Sequence, residues 1–261
     1  KMGGALIDAW LEQQTVRPRD IVLIEPDVSR AKYFRETYSL YTFEDPEAVN
    51  TGIGRPIVLF AVKPQTMDEV APMYRNLAEQ GSLILSIAAG KTTNYFEKIL
   101  GTESSIVRAM PNTPASIGKG MTVLYANHNV DSEQKKQCEV LMHAVGEVRW
   151  VENEELMDAV TAVSGSGPAY VFLLIETLAE AGTEAGLDPM LARDLALATV
   201  AGAGALAEQS TLSPSILREN VTSPGGTTEA ALKVLMADDG IRSLFSEAVR
   251  KAVVRSKELA G

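Results

Sequence analysis

The stretch Leu83-Ile84-Leu85-Ser86-Ile87-Ala88-Ala89-Gly90 decides how the first half of the chain is read. Residues 83–88 are apolar or small at successive positions, so both faces of an extended segment suit burial, as in a strand covered on two sides. Comparable short runs recur at 21–25, 57–62, 105–109, 121–125 and 148–151. Between them, residues 67–79, 92–100 and 132–145 carry apolar side chains at helical spacing. Strand, helix, strand in succession predicts a mainly parallel sheet wrapped by helices over residues 1–153.

Beyond Glu152 the strand signal stops. Residues 154–163 read as a helix, and a second over 168–185 opens on Pro168 and stops at Gly186. Asp188 caps a third helix with Pro189 in its first turn, running to about Gln209. A last helix over 241–259 aligns Ile241, Leu244, Phe245, Ala248, Ala252 and Val253 on one face. Residues 154–261 are therefore expected to be all-α. Within them Ala201-Gly202-Ala203-Gly204-Ala205 would let another helix approach closely.

The 261 residues, 46% hydrophobic and 22% charged, suffice for a full core. One cysteine excludes an internal disulfide framework. The net charge of -10 opposes nonspecific binding to nucleic acid or anionic lipid, so neither is an expected partner. Residues 1–150 carry 16 basic and 18 acidic side chains, and residues 151–261 carry 8 and 16, which supports two units. No continuous apolar run reaches the roughly 20 residues of a membrane span, and no secretory or lipidation signal is visible, so a cytoplasmic location is expected.

Five stretches are composed for chemistry. Met2-Gly3-Gly4 entering an amphipathic stretch looks like the tail of a glycine-rich turn, and Glu25, about 20 residues on, stands where a dinucleotide fold places an acid on the adenosine ribose. Ala61-Val62-Lys63-Pro64, Ile87-Ala88-Ala89 and Met110-Pro111-Asn112-Thr113-Pro114 follow successive strands, where ligands meet a parallel sheet. Each alone is also ordinary turn chemistry. The sharpest stretch is Val221-Thr222-Ser223-Pro224-Gly225-Gly226-Thr227-Thr228 before a helix over 229–237. Capping needs one hydroxyl, and two glycines with four hydroxyls make a better seat for a carboxylate. His128, His143 and Cys138 have no catalytic or metal-ligand spacing, so no metal is expected.

With Ser164-Gly165-Ser166-Gly167-Pro168-Ala169-Tyr170 and the 223–228 loop in this order, the chain resembles pyrroline-5-carboxylate reductase. The resemblance implies a Rossmann-like dinucleotide-binding domain followed by an all-α dimerisation domain, and reduction of 1-pyrroline-5-carboxylate to L-proline with NADPH or NADH. It implies Thr228 as partner of the ring nitrogen, the backbone of Gly225, Gly226, Thr227 and Thr228 around the carboxylate, Ser223 shaping that loop, and Glu154 near the substrate. For the cofactor it implies Met2, Gly3, Pro26, Ala61, Val62, Lys63, Pro64, Ile87, Ala88, Ala89 and Asn220. It also implies a homodimer able to build a larger ring, and a first strand with two further glycines upstream of Lys1. Glu25 would repel a 2'-phosphate, whereas Arg30 and Lys32 could offset that repulsion, so both cofactors stay open. A β-hydroxyacid dehydrogenase would need a lysine on the helix over 168–185, and there is none between Lys136 and Lys233. A non-catalytic NAD(P)-binding regulator is the remaining alternative, and the intact 223–228 loop argues against it.

Overall fold

The computed structural model describes residues 2–46 and 54–260. Lys1, from which the upstream strand was reckoned, lies outside them. Two compact units divide the chain: residues 1–165 with 253–261, and residues 166–252.

The first unit opens on α1 (Met2–Glu12), which buries Leu6, Ile7 and Trp10. β1 (Val22–Ile24) leads into α2 (Val28–Tyr38) and returns as β2 (Tyr41–Phe43), paired in parallel with β1. A five-stranded sheet follows in simple order: β3 (Ile57–Phe60), β4 (Leu83–Ser86), β5 (Ile106–Met110), β6 (Gly120–Ala126) and β7 (Gly146–Trp150). β3 to β5 run parallel and β7 runs parallel to β6, but β6 is antiparallel to β5. The nine residues between β5 and β6 hold a 3-10 turn, Thr113–Ile117, and are too short for a parallel crossover.

The alternation of β4 explains the two-sided burial. Leu83 and Leu85 pack with Leu6, Trp10 and Met142 on one face; Ile84 packs with Phe60, Phe96 and Ile106 on the other. Phe60 and Phe96 stack at 5.6 Å. The helices here are α5 (Thr93–Leu100), capped by Thr92, and α6 (Ser132–His143), closed by a capping box from Asp131 and Gln134. Cys138, on the buried face of α6, is fully buried, and burial pushes its thiol up to about 12. It is an inert packing residue.

Two helices differ from expectation. Residues 67–79 split into α3 (Met67–Val70), a 3-10 turn Ala71–Tyr74 and α4 (Arg75–Glu79), because Pro72 cannot donate the bond an unbroken helix needs. The helix expected over 154–163 is α7 (Leu156–Val160), continued as a π turn over Thr161–Gly165. A Cβ on Gly165 would stand 2.4 Å from the Met110 Cε, so the turn lies against the side chain that ends β5.

The second unit holds α8 (Gly167–Glu184), α9 (Pro189–Gln209), α10 (Pro214–Asn220), α11 (Thr227–Leu235) and the first part of α12 (Ile241–Ala260). α8, α10 and α11 bury no residue, and α9 buries only Ala192 and Ala196. Leu156–Glu184 and Pro189–Gln209 reach the length and apolarity of a spanning helix although no single apolar run does.

Candidate active site

The start of α1 sits against the end of β3: a Cβ on Gly3 would meet the Ala61 Cβ at 2.9 Å. The indole of Trp10 fixes this helix by donating to the Leu141 carbonyl at 2.7 Å. β3 ends at Phe60 and β4 at Ser86, so Ala61 to Pro64 and Ile87 to Ala89 lie in the connections beyond two adjacent strand ends. Ile87 N–H donates to the Phe60 carbonyl at 3.1 Å, which ties the second connection to the end of β3, and Ala88 N–H donates to the Ser86 hydroxyl at 3.2 Å, which shapes that connection locally. Ala61, Val62 and Lys63 are exposed there. Backbone-lined strand ends beside a helix start whose first N–H groups lack intrahelical partners suit a dinucleotide's phosphates, so these residues fit the implied cofactor. Pro26 is exposed just past β1, beside the half-buried Glu25.

Glu154 holds a different network. Its Oε1 accepts from Thr93 N–H at 2.8 Å and from Arg108 Nη1 at 2.6 Å, while Oε2 accepts from the Thr93 hydroxyl at 2.7 Å. The Arg108 side chain is 9% exposed and that of Glu154 21%. A cavity of about 180 Å³ adjoins the pair, lined by Thr92, Arg108, Glu154, Glu155 and Asp158. Sequence reasoning missed Arg108 and Thr93. The available signal was an arginine inside the otherwise apolar run 105–109, which demands a buried acid as partner.

Asn112, in the loop beyond β5, joins the start of β6 to the π turn that follows α7. Its side-chain oxygen accepts from Met121 N–H at 2.9 Å, and its amide nitrogen donates to the Ser164 hydroxyl at 3.3 Å.

In the second unit, Ser223 to Thr228 form a tight turn into α11. Gly225 takes φ +72°, a conformation glycine adopts without strain, and its N–H donates to Glu229 Oε2 at 2.8 Å. Gly226 N–H donates to the Ser223 carbonyl at 3.0 Å, and no side chain caps the helix. Thr227 and Thr228 thus occupy the first turn with N–H groups that the helix leaves without internal acceptors. Asn220 closes α10 and is exposed.

These features define a class: a Rossmann-like, dinucleotide-dependent oxidoreductase with an all-helical second part. Residues 1–90 match the family described as NADP oxidoreductase coenzyme F420-dependent, and residues 154–259 match pyrroline-5-carboxylate reductase dimerisation. A pyrroline-5-carboxylate reductase of Synechocystis sp. is 42% identical, the match covering 99% of this chain and 94% of that relative. The pyrroline-5-carboxylate reductase structure from Coxiella burnetii superposes with a TM-score of 0.93 at 39% identity, covering 100% of this chain and 95% of the other. That of Plasmodium falciparum, solved with NADP bound, gives 0.84 at 29% identity with the same coverage. The chain belongs to the pyrroline-5-carboxylate reductase family, the NAD(P)H-dependent oxidoreductases of proline biosynthesis.

Proposed function

We propose that this chain reduces the C=N bond of 1-pyrroline-5-carboxylate to give L-proline. The observation that carries the reading is the uncapped start of α11, where Thr227 and Thr228 follow a glycine turn whose own N–H groups are already donated within the chain. In this reading the N–H groups of Thr227 and Thr228, at the positive end of the helix dipole, seat the substrate carboxylate. Ser223, Gly225 and Gly226 hold the turn in the shape that aims them. Thr228 also places its hydroxyl at the ring nitrogen. A cyclic imine is readily protonated near neutral pH, so the hydroxyl orients the iminium rather than acting as a full acid. NAD(P)H, held by the residues at the strand ends, would supply a hydride to the ring carbon of the iminium; the π electrons of the C=N bond would become the lone pair of the ring nitrogen, which stays in the ring as the secondary amine of proline.

Cofactor binding is assigned to Met2, Gly3, Pro26, Ala61 to Pro64 and Ile87 to Ala89 of the first unit, with Asn220 as a further contact. Glu154, engaged with Thr93 and Arg108, is assigned to the substrate as well. The functional division runs at 153/154. We assign a cytoplasmic homodimer, with a ring of dimers as the larger assembly. The apolar side chains of α8 and α9 that one chain leaves exposed, among them Phe172, Leu173, Leu195 and Leu206, support a second copy as their cover.

Purified full-length protein given 1-pyrroline-5-carboxylate should consume reduced nicotinamide and form L-proline in equal amounts. Cofactor oxidation without proline, or neither, removes the assignment.

A further inference from the structure

We infer that Glu25 makes this enzyme select NADH over NADPH. The inference rests on the cofactor reading above and concerns the end of β1, where a dinucleotide fold meets the adenosine ribose. NADPH differs from NADH by a phosphate on the ribose 2'-oxygen. A site that accepts it must offer unengaged cations or N–H donors; a site that prefers the free hydroxyl must offer an acceptor.

The structure supplies the acceptor and has engaged the donors. The Glu25 side chain is 16% exposed, held at the strand end rather than free in solvent. Its Oε1 accepts from Asp27 N–H at 3.2 Å, and its Oε2 lies 3.4 Å from the Arg30 Nε. The start of α2, which would otherwise welcome a phosphate, is filled by a carboxylate of the chain itself: Asp27 Oδ1 accepts from Ser29 N–H at 2.9 Å and from Arg30 N–H at 3.0 Å. Lys32, the other nearby cation, lies 3.8 Å from Glu36 on the same helix.

A 2'-phosphate arriving here would face two carboxylates, and the nearest cation, Arg30, already has its Nε 3.4 Å from one of them. The ribose hydroxyl of NADH instead donates to a carboxylate already oriented by Asp27 and Arg30 and loses nothing. Arginine near a strand end is often read as a phosphate clamp. Here its guanidinium orients Glu25.

The test is direct titration of the full-length protein with NADH and with NADPH, without substrate, followed by cofactor fluorescence. A hydrogen bond to a charged group is worth enough for NADH to bind about tenfold more tightly. Glu25→Ser should cut that ratio by about tenfold, through weaker NADH and stronger NADPH binding together. Glu25→Gln, which keeps an acceptor for Asp27 N–H, should move the ratio the same way, so a shift through loop damage is told apart from one through charge. Equal or tighter NADPH binding by the wild type overturns the inference and leaves the reductase reading standing, as does a ratio unmoved by either variant. Binding of neither nucleotide removes the cofactor reading and this inference with it.

Discussion

Thr228→Ala is expected to lower kcat by about a hundredfold while leaving NADH affinity unchanged. The proposed mechanism gives this residue two jobs, and the substitution separates them. The N–H that seats the carboxylate belongs to the backbone and survives, so KM should change little. The hydroxyl that orients the ring nitrogen is lost, so the reacting carbon no longer sits in one productive pose and the deficit appears in kcat. Stability should hold, because Thr228 lies in the first turn of α11, half-exposed, and alanine is the better helix former. Thr228→Ser keeps the hydroxyl and should restore most of the rate. Steady-state kinetics with both variants decide the matter. An alanine variant with wild-type kcat removes Thr228 from the chemistry; one with raised KM alone makes the residue a carboxylate ligand and no more.

Arg108→Ala is expected to cost about 2–4 kcal/mol of folding stability. The figure lies near the lower end for a broken buried pair because Glu154 keeps 21% of its side chain in contact with solvent and both Thr93 hydrogen bonds. The three groups tie distant parts of the sequence: the start of α5, the middle of β5 and the segment leaving β7. Urea unfolding should show a lower midpoint at unchanged slope. Replacing Arg108 and Glu154 together with Met and Leu should recover part of the loss, since an apolar pair leaves no stranded charge. Glu154→Gln then reports on substrate contact. A raised KM with stability nearly intact places Glu154 against the substrate, and a stability loss at unchanged KM assigns it to the network alone.

The legible parts of the fold were those where local pattern and final packing agree. The runs around β3, β4 and β5 are apolar on both faces because they are covered on both faces, and residues 83–88 could be read without any knowledge of their neighbours. α2 went unread because its surface is charged and its apolar periodicity weak, although Asp27 was a visible cap. β2 is three residues long and exists through its pairing with β1, which residues 41–43 do not announce. At the site, composition revealed the loop 223–228, since hydroxyls and glycines gather there beyond the needs of a cap. It could not reveal that the N–H groups of Gly225 and Gly226 are already donated inside the turn, because that depends on Glu229 reaching back to Gly225 and on the turn bringing the Ser223 carbonyl to Gly226. Nor could it reveal the partner of Arg108, 46 residues away in sequence.

The bare surface of α8 has a consequence for how this protein tolerates change. Phe172 is 63% exposed in a single chain, and a burial tally would rank it among positions free to vary. In a two-fold assembly each substitution enters the interface twice, once from each copy, so a modest loss at one position doubles before any compensation can occur. In the proposed dimer, drift along α8 and α9 should therefore be as slow as in the sheet core, at positions that look permissive in the monomer.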